Sequence, residues 1–305
     1  MPSNEISSIA DSDEVESPVI AYTVPILAQV ALPHSKPITK NGGVPLSHWS
    51  RSVNKIKLVM NSYMDGDGID HGLPWGTLPR LILIWIITEV THNNTAHIEL
   101  GDSLSAWLRQ LDLPDNGGTR SRLQSQADSL FTARFTLEDR REGHFSLVNL
   151  PLAERTTFFW DPNRNLAKQP EQWRSAIDLS PGFFKLVKEA PVPIDLGILK
   201  RIQKSPLAID VYVWLSYRIF QLNTGSAARA NISWSSFEAQ MGSEYGQLRD
   251  FRVHVAKVIN GIAQAGWRVR VGMDEKRLFL WRQPTSVSSR PRALPSGDSL
   301  EELCT

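Results

Sequence analysis

The sequence predicts an α+β chain in which one plan, three helices followed by a β-hairpin, is used twice. Three observations carry that expectation. The chain has 305 residues, enough for two ordinary domains with buried cores. A broad-faced apolar helix, a short helix, a polar-faced helix and an alternating hairpin follow one another over residues 78–148. The same order returns about 130 residues later, and a supersecondary plan repeated at a constant offset is far harder to obtain by accident than one helix-turn-helix.

Residues 1–17 are polar and acidic without apolar periodicity, which predicts a disordered tail. Residues 18–60 read as strands and loops leaning on the first unit, with Lys55-Ile56-Lys57-Leu58-Val59-Met60 the clearest strand. The spacing predicts a central helix over 78–90, where Pro79 is tolerated in the first turn and apolar residues cover a wide face. Asp102-Ser103 offers a cap to a short helix over 104–111, with Leu104, Trp107, Leu108 and Leu111 on one side. Pro114-Asp115-Asn116-Gly117-Gly118 breaks the chain before a third helix over 119–131. Its Leu123, Ala127, Leu130 and Phe131 share a face, which leaves Arg120, Arg122, Gln124 and Gln126 on more exposed positions. Arg134-Phe135-Thr136-Leu137 and Phe145-Ser146-Leu147-Val148 then alternate as a hairpin around a charged tip over 138–144.

The second unit reads in the same way. A broad-faced helix over 207–222 opens at Ser205-Pro206. Ile232-Ser233-Trp234 leads into a short helix over 235–241 that ends at Gly242. Over 247–264, Leu248, Phe251, Val255, Val258, Ile259 and Ile262 fall on one side of a long helix. Arg249, Lys257 and Asn260 cluster opposite, with Arg252 at the flank. Residues 267–271 alternate as a strand, Gly272-Met273-Asp274-Glu275 turns, and 277–282 return. Between the units, the polar stretch around Pro162 and Pro170 places a boundary near 165. A strand at Ile177-Asp178-Leu179 and helices over 181–189 and 196–203 are assigned to the second unit. The expected domains are therefore 18–164 and 165–283, followed by a second disordered tail at 284–305.

Three helices and a charged-tip hairpin are the parts of a winged helix, so the expected architecture is two tandem winged-helix domains. Such a unit places its third helix in the DNA major groove while its hairpin touches backbone or the adjacent groove. The charge distribution agrees. The chain carries 33 Lys and Arg against 32 Asp and Glu, but residues 1–35 hold five acids and no Lys or Arg, and 284–305 are net −1. The body is therefore +7, a sign asymmetry of the kind that accompanies polyanion binding. Residues 249–282 alone hold eight bases and three acids. A solvated helix face has the same look in isolation; the basic hairpin beside it, with Arg268, Arg270, Lys276, Arg277 and Arg282, favours phosphate or base contact. In the first unit Asp128, Glu138 and Asp139 dilute the field of Arg120, Arg122, Gln124 and Gln126. Arg134, Arg140 and Arg141 there suit backbone contact better than base readout.

Other classes find little support. One cysteine, Cys304, rules out a disulfide framework within the chain and a thiolate cluster. The N-terminus is acidic where a secretory signal is basic and apolar, and the longest strongly apolar run, Leu81 to Ile87, is far shorter than the roughly 20 residues that span a bilayer. A cytoplasmic protein with no membrane partner is expected. Asp65-Gly66-Asp67-Gly68-Ile69-Asp70 begins like a calcium loop, but Asp70 and Gly76 stand where that loop needs Gly and Glu. His92 and His97 lack metalloprotease spacing, and there is no phosphate-binding Gly-Lys-Ser/Thr loop and no His-x-His pair of nicking enzymes. No catalytic residue, metal or cofactor is expected.

The chain also resembles the plasmid replication initiator family called RepA. The pieces that carry the resemblance are Ala31-Leu32-Pro33-His34 with Pro37, Asn41-Gly42, Leu73-Pro74-Trp75-Gly76-Thr77-Leu78-Pro79-Arg80-Leu81, Ile98-Glu99-Leu100-Gly101-Asp102-Ser103-Leu104, and Leu130-Phe131-Thr132-Ala133-Arg134. They continue with Ser180-Pro181-Gly182-Phe183-Phe184, Pro191-Val192-Pro193-Ile194-Asp195, Ser205-Pro206-Leu207-Ala208-Ile209-Asp210 and Arg249-Asp250-Phe251. The resemblance implies an initiator that binds repeated sites in double-stranded plasmid origin DNA, promotes local opening, and recruits the host initiator and the replicative helicase or its loader. It also implies a homodimer formed through the first domain. Two rivals stay open: a repressor of the same fold with no replication role, and a DNA-nicking enzyme.

Overall fold

The computed structural model describes residues 18–39, 43–53, 55–140, 146–158, 175–242 and 245–287. Helices and antiparallel strands alternate along it, giving a mixed α+β fold. Two helices are apolar all round and are accordingly central. The first, α2 (Thr77–Asn93), sends Ile82, Leu83, Ile86, Ile87 and Val90 into one core and Leu81 and Ile84 into the other. The second, α7 (Pro206–Thr224), starts at Ser205, whose side chain caps Ala208 N–H, with Pro206 in the first turn.

Around each central helix the chain follows the same path. After α2 come β4 (His97–Glu99), α3 (Leu104–Gln110) and α4 (Gly117–Thr132), then, past two strands of another sheet, β7 (Ala153–Thr157) and β8 (Ala176–Leu179). After α7 come β10 (Arg229–Ser233), α8 (Trp234–Met241) and α9 (Leu248–Gln264), then β11 (Val271–Met273) and β12 (Arg277–Trp281). The two three-stranded sheets have one topology. In each, the strand that follows the central helix pairs with the last strand, which pairs with the one before it: β4-β8-β7 and β10-β12-β11. Side-chain caps fix α3, α4 and α8: Ser103 on Ala106, Asn116 on Thr119, Ser233 on Ser236.

The repeat is thus present, but the first hairpin is not the one the sequence suggests. The expected strands form as β5 (Arg134–Asp139) and β6 (Ser146–Asn149), and they join β2 (His48–Val53) and β3 (Ile56–Asn61) in a separate four-stranded sheet, β2-β3-β5-β6. The counterpart of β11–β12 is β7–β8. Sequence alternation marks strands but says nothing about which strand supplies the partner, and the long polar stretch between β7 and β8 conceals their pairing. Residues 141–145, most of the expected tip, lie outside the described residues.

The expected boundary near 165 falls between these two paired strands. Ile177 and Leu179 of β8, and Phe183 and Val187 of α5 (Pro181–Glu189), pack in the first core. β9 (Val192–Asp195) and α6 (Leu196–Ile202) pack in the second core, through Val192, Ile194, Ile198 and Leu199. The N-terminal residues belong to both bodies: β1 (Ile20–Thr23) pairs with β9, while Val24 in front of α1 (Pro25–Gln29), together with Val30 and Leu32 behind it, enters the first core. The expected tail at 284 starts later, since Val287 is buried and Ser286 Oγ lies 2.9 Å from Tyr212 Oη. Residues 1–17 and 288–305 lie outside the described residues. The strand expected from 267 begins at Val271, because the side chain of Gln283 takes the place of a ladder partner and bonds both Arg270 N–H and Arg270 C=O.

Candidate nucleic-acid interface

The third helix of the second unit, α9, has two sharply different sides. Phe251, Val255, Ile259 and Ile262 are buried, with Phe251 set edge-on to Trp234 and tilted against Phe237. Arg249, Val253, Lys257 and Asn260 are exposed, and their i, i+4, i+8, i+11 spacing makes one stripe along the helix. Arg249, Lys257 and Asn260 thus stand where the periodicity predicts. His254 sits beside the stripe, with Nδ1 2.8 Å from Asp250 O and its ring 4.5 Å from that of Tyr245, centroid to centroid.

Trp234 joins this helix to the hairpin. The Arg252 guanidinium lies 5.7 Å over its ring, and Trp234 Nε1 donates to Asp274 O at 2.8 Å. The turn carrying Lys276 and Arg277 is therefore brought beside Arg252. Asp274 shapes that turn by accepting the backbone N–H groups of Lys276 and Arg277 at 2.7 Å each, and these bonds hold its carboxyl below the usual range. A second acid, Asp250, lies in the first turn of α9, where the helix dipole favours negative charge. Two of the three acids of residues 249–282 thus serve local structure, while Arg249, Lys257, Arg268, Arg270, Lys276 and Arg277 are exposed. Arg270 lies 4.9 Å over the Trp281 ring, and Arg277 donates to Asn231 Oδ1. Arg282 is committed to the fold, donating to the carbonyls of Ala227 and Gly225 at the end of α7.

The expected residues of the first unit are not brought together in this way. Arg120 is exposed but held by Asp115, Nε to Oδ1 at 2.6 Å and Nη2 to Oδ2 at 3.0 Å, with a further bond to Ser105 Oγ. The hydrogen bond from Arg120 keeps the Asp115 carboxyl below its ordinary range. Arg122 is exposed and returns a bond to Gly118 O, and Gln124 is half-buried. Gln126 is 8% exposed and its Oε1 accepts Trp75 N–H at 2.8 Å, so this residue braces the preceding segment. The 71–76 segment, also held by Ser129 Oγ on His71 O, lies along this face of α4 and covers what a bare helical wheel leaves open. Arg134 is exposed on β5, opposite Asn61 in the four-stranded sheet. It stands beyond the C-terminal end of α4, about 20 Å from Arg120 by helix geometry.

The sequence pattern missed a third set of residues. Arg80 of α2 and Asp210 of α7 form a buried two-point ion pair, and His34 Nε2 lies 2.7 Å from Asp210 Oδ2. A lone arginine inside an otherwise apolar helix was the available signal. Among the described residues no group of three or more His, Cys, Asp or Glu could hold a metal ion, and no helix is long and apolar enough to cross a membrane.

The fold of this chain is also found in solved structures. Domains 2 and 3 of RctB match in two crystal structures, one of selenomethionine derivatives, with TM-scores of 0.52 and 0.50. In both the identity is 12% and the match covers 85% of this chain and 96% of that chain, a likeness of fold alone. No curated protein matches the chain. The family described as plasmid encoded RepA protein matches residues 73–236, more than half the chain, and the protein belongs to that family. Membership supports a replication-initiator role. The match runs from Leu73 to the first turn of α8, so it takes in Arg80 and Asp210, while α9 and its hairpin lie beyond it.

Proposed function

We propose that this protein is a non-enzymatic replication initiator made of two tandem winged-helix domains, which binds repeated sites in double-stranded origin DNA. The observation that carries the reading is the basic stripe of α9 with the Lys276–Arg277 turn beside it, on a unit whose topology repeats that of the first. The third helix of such a unit lies in the major groove and its hairpin against the backbone. Phosphate contacts from Arg252, Arg268, Arg270, Lys276 and Arg277 supply salt-dependent affinity, and Arg249, Lys257 and Asn260 face the groove. Arg is suited to both tasks because its planar fork meets guanine or phosphate at two points. The first unit binds mainly through Arg122, with Arg120 held aside by Asp115.

On this reading the work is energetic. Two units held rigidly to one another engage successive turns of the duplex, and the bending this requires favours opening of an adjacent weakly paired tract. Recruitment of the host initiator and of the replicative helicase or its loader follows, and a homodimer of the chain represses its own promoter. The test is a gel-shift titration on the plasmid's own origin region with the Arg249→Ala, Arg252→Ala double variant. Weakened binding with an unchanged melting temperature is expected; unchanged binding removes α9 from the interface.

A further inference from the structure

Val253 is 47% exposed at the centre of the α9 stripe, one turn after Arg249 and one turn before Lys257. At 100° per residue it points directly away from the mean direction of Phe251, Val255, Ile259 and Ile262, so the core makes no use of it. On folding grounds it is poorly suited to its place. A β-branched side chain loses rotamer freedom in a helix, and this one holds apolar surface in water between two cations. The surface around it is ordered, since His254 is fixed on one side by Asp250 O and Tyr245, and Arg252 on the other by Trp234.

What a major groove offers to such a side chain is the 5-methyl group of thymine, the apolar feature of the base edges. We propose that Val253 is a specificity-determining residue that packs on the 5-methyl of one thymine in each site, flanked by Arg249 and Lys257 on polar base edges or phosphates. The inference rests on the reading of α9 as the helix in the groove, and adds to it an apolar base contact that a purely electrostatic face lacks.

The probe is a duplex selected by the wild-type chain from a randomised pool, resynthesised with deoxyuridine in place of thymidine one position at a time. At one position, loss of the methyl is expected to weaken wild-type binding about fourfold, the worth of one buried methyl group. Val253→Ala, a better helix former that keeps the fold, is expected to bind the thymine duplex about as weakly and to be indifferent to uracil at that position. If no thymine shows methyl dependence, or if Val253→Ala shows the same dependence as the wild type, the inference is overturned while DNA binding stands. If no duplex is selected at all, the DNA reading itself falls and takes the inference with it.

Discussion

Arg80 and Asp210 meet in the interior, Nε to Oδ1 and Nη2 to Oδ2 at 2.7 Å each, and tie the central helix of one unit to that of the other. The remaining guanidinium N–H groups reach the carbonyls of Gly76, Pro33 and Leu32, so all five donors are used. Arg80 is 5% exposed. A charge so deeply placed is tolerable only with every partner present. The Leu-Pro-Arg-Leu stretch at 78–81 therefore acts as a joint that sets how the two units sit relative to one another.

Removing one partner leaves the other charge buried and alone. Arg80→Ala or Asp210→Ala is expected to cost about 3–5 kcal/mol of stability, whereas the paired Arg80→Met, Asp210→Leu change costs much less. Chemical denaturation of the three variants checks this. Equal losses in single and double variants would contradict it.

The same pair sets a pH dependence. Burial alone pushes the Asp210 carboxyl up, but the Arg80 charge and the hydrogen bonds of His34 and Arg80 outweigh it and hold the value below the ordinary one. A carboxylate whose folded value is depressed contributes stability that is complete above its unfolded value, about 3.9, and is lost as pH falls toward the folded value. Melting temperatures from pH 7 to pH 3 should therefore drop more steeply below about pH 4 in the wild type than in Arg80→Met, Asp210→Leu. Parallel curves would show that the pair does not contribute.

Gln126 was expected at the DNA surface and is a brace instead. Gln126→Ala orphans the Trp75 N–H, a loss of about 1–3 kcal/mol. Folded protein at low temperature should bind DNA as the wild type does. A loss of affinity without a loss of stability would restore Gln126 to the interface.

The distribution of charge on α9 makes a further demand. Arg252 on α9 and Lys276 on the turn beside it meet phosphates on this reading, so each alanine variant should lower the slope of log affinity against log salt by about 1. Arg282→Ala, whose side chain holds the end of α7, should lower stability and leave that slope unchanged. Anisotropy titrations across a salt series separate the two behaviours.

Much of this molecule can be read from local pattern. The helix periods and the capping residues Ser103, Asn116, Ser205 and Ser233 follow from short-range rules, and so does the exposed stripe of α9. Most of what escaped depends on distant partners. The sheet that β5 enters is decided by β3, and the strand that completes β4 is β8, about 80 residues on. Gln126, three residues after Leu123 and four before Leu130, lies at the edge of the apolar face of its helix, and the 71–76 segment returns to cover it. Arg120 meets its restraint in Asp115 of the preceding turn, a charge that composition counts but cannot place. Val253 falls on the polar side of α9 by helical period, but it was passed over in favour of the cations of that side.

The most direct test of the central claim is a hydroxyl-radical footprint of the purified protein on its plasmid's origin region. The account predicts protection at repeated sites, each with two backbone segments about one helical turn apart, one of which disappears in the Arg249→Ala, Lys257→Ala variant. Uniform, salt-labile protection without repeated sites, or an unchanged footprint in that variant, would contradict it.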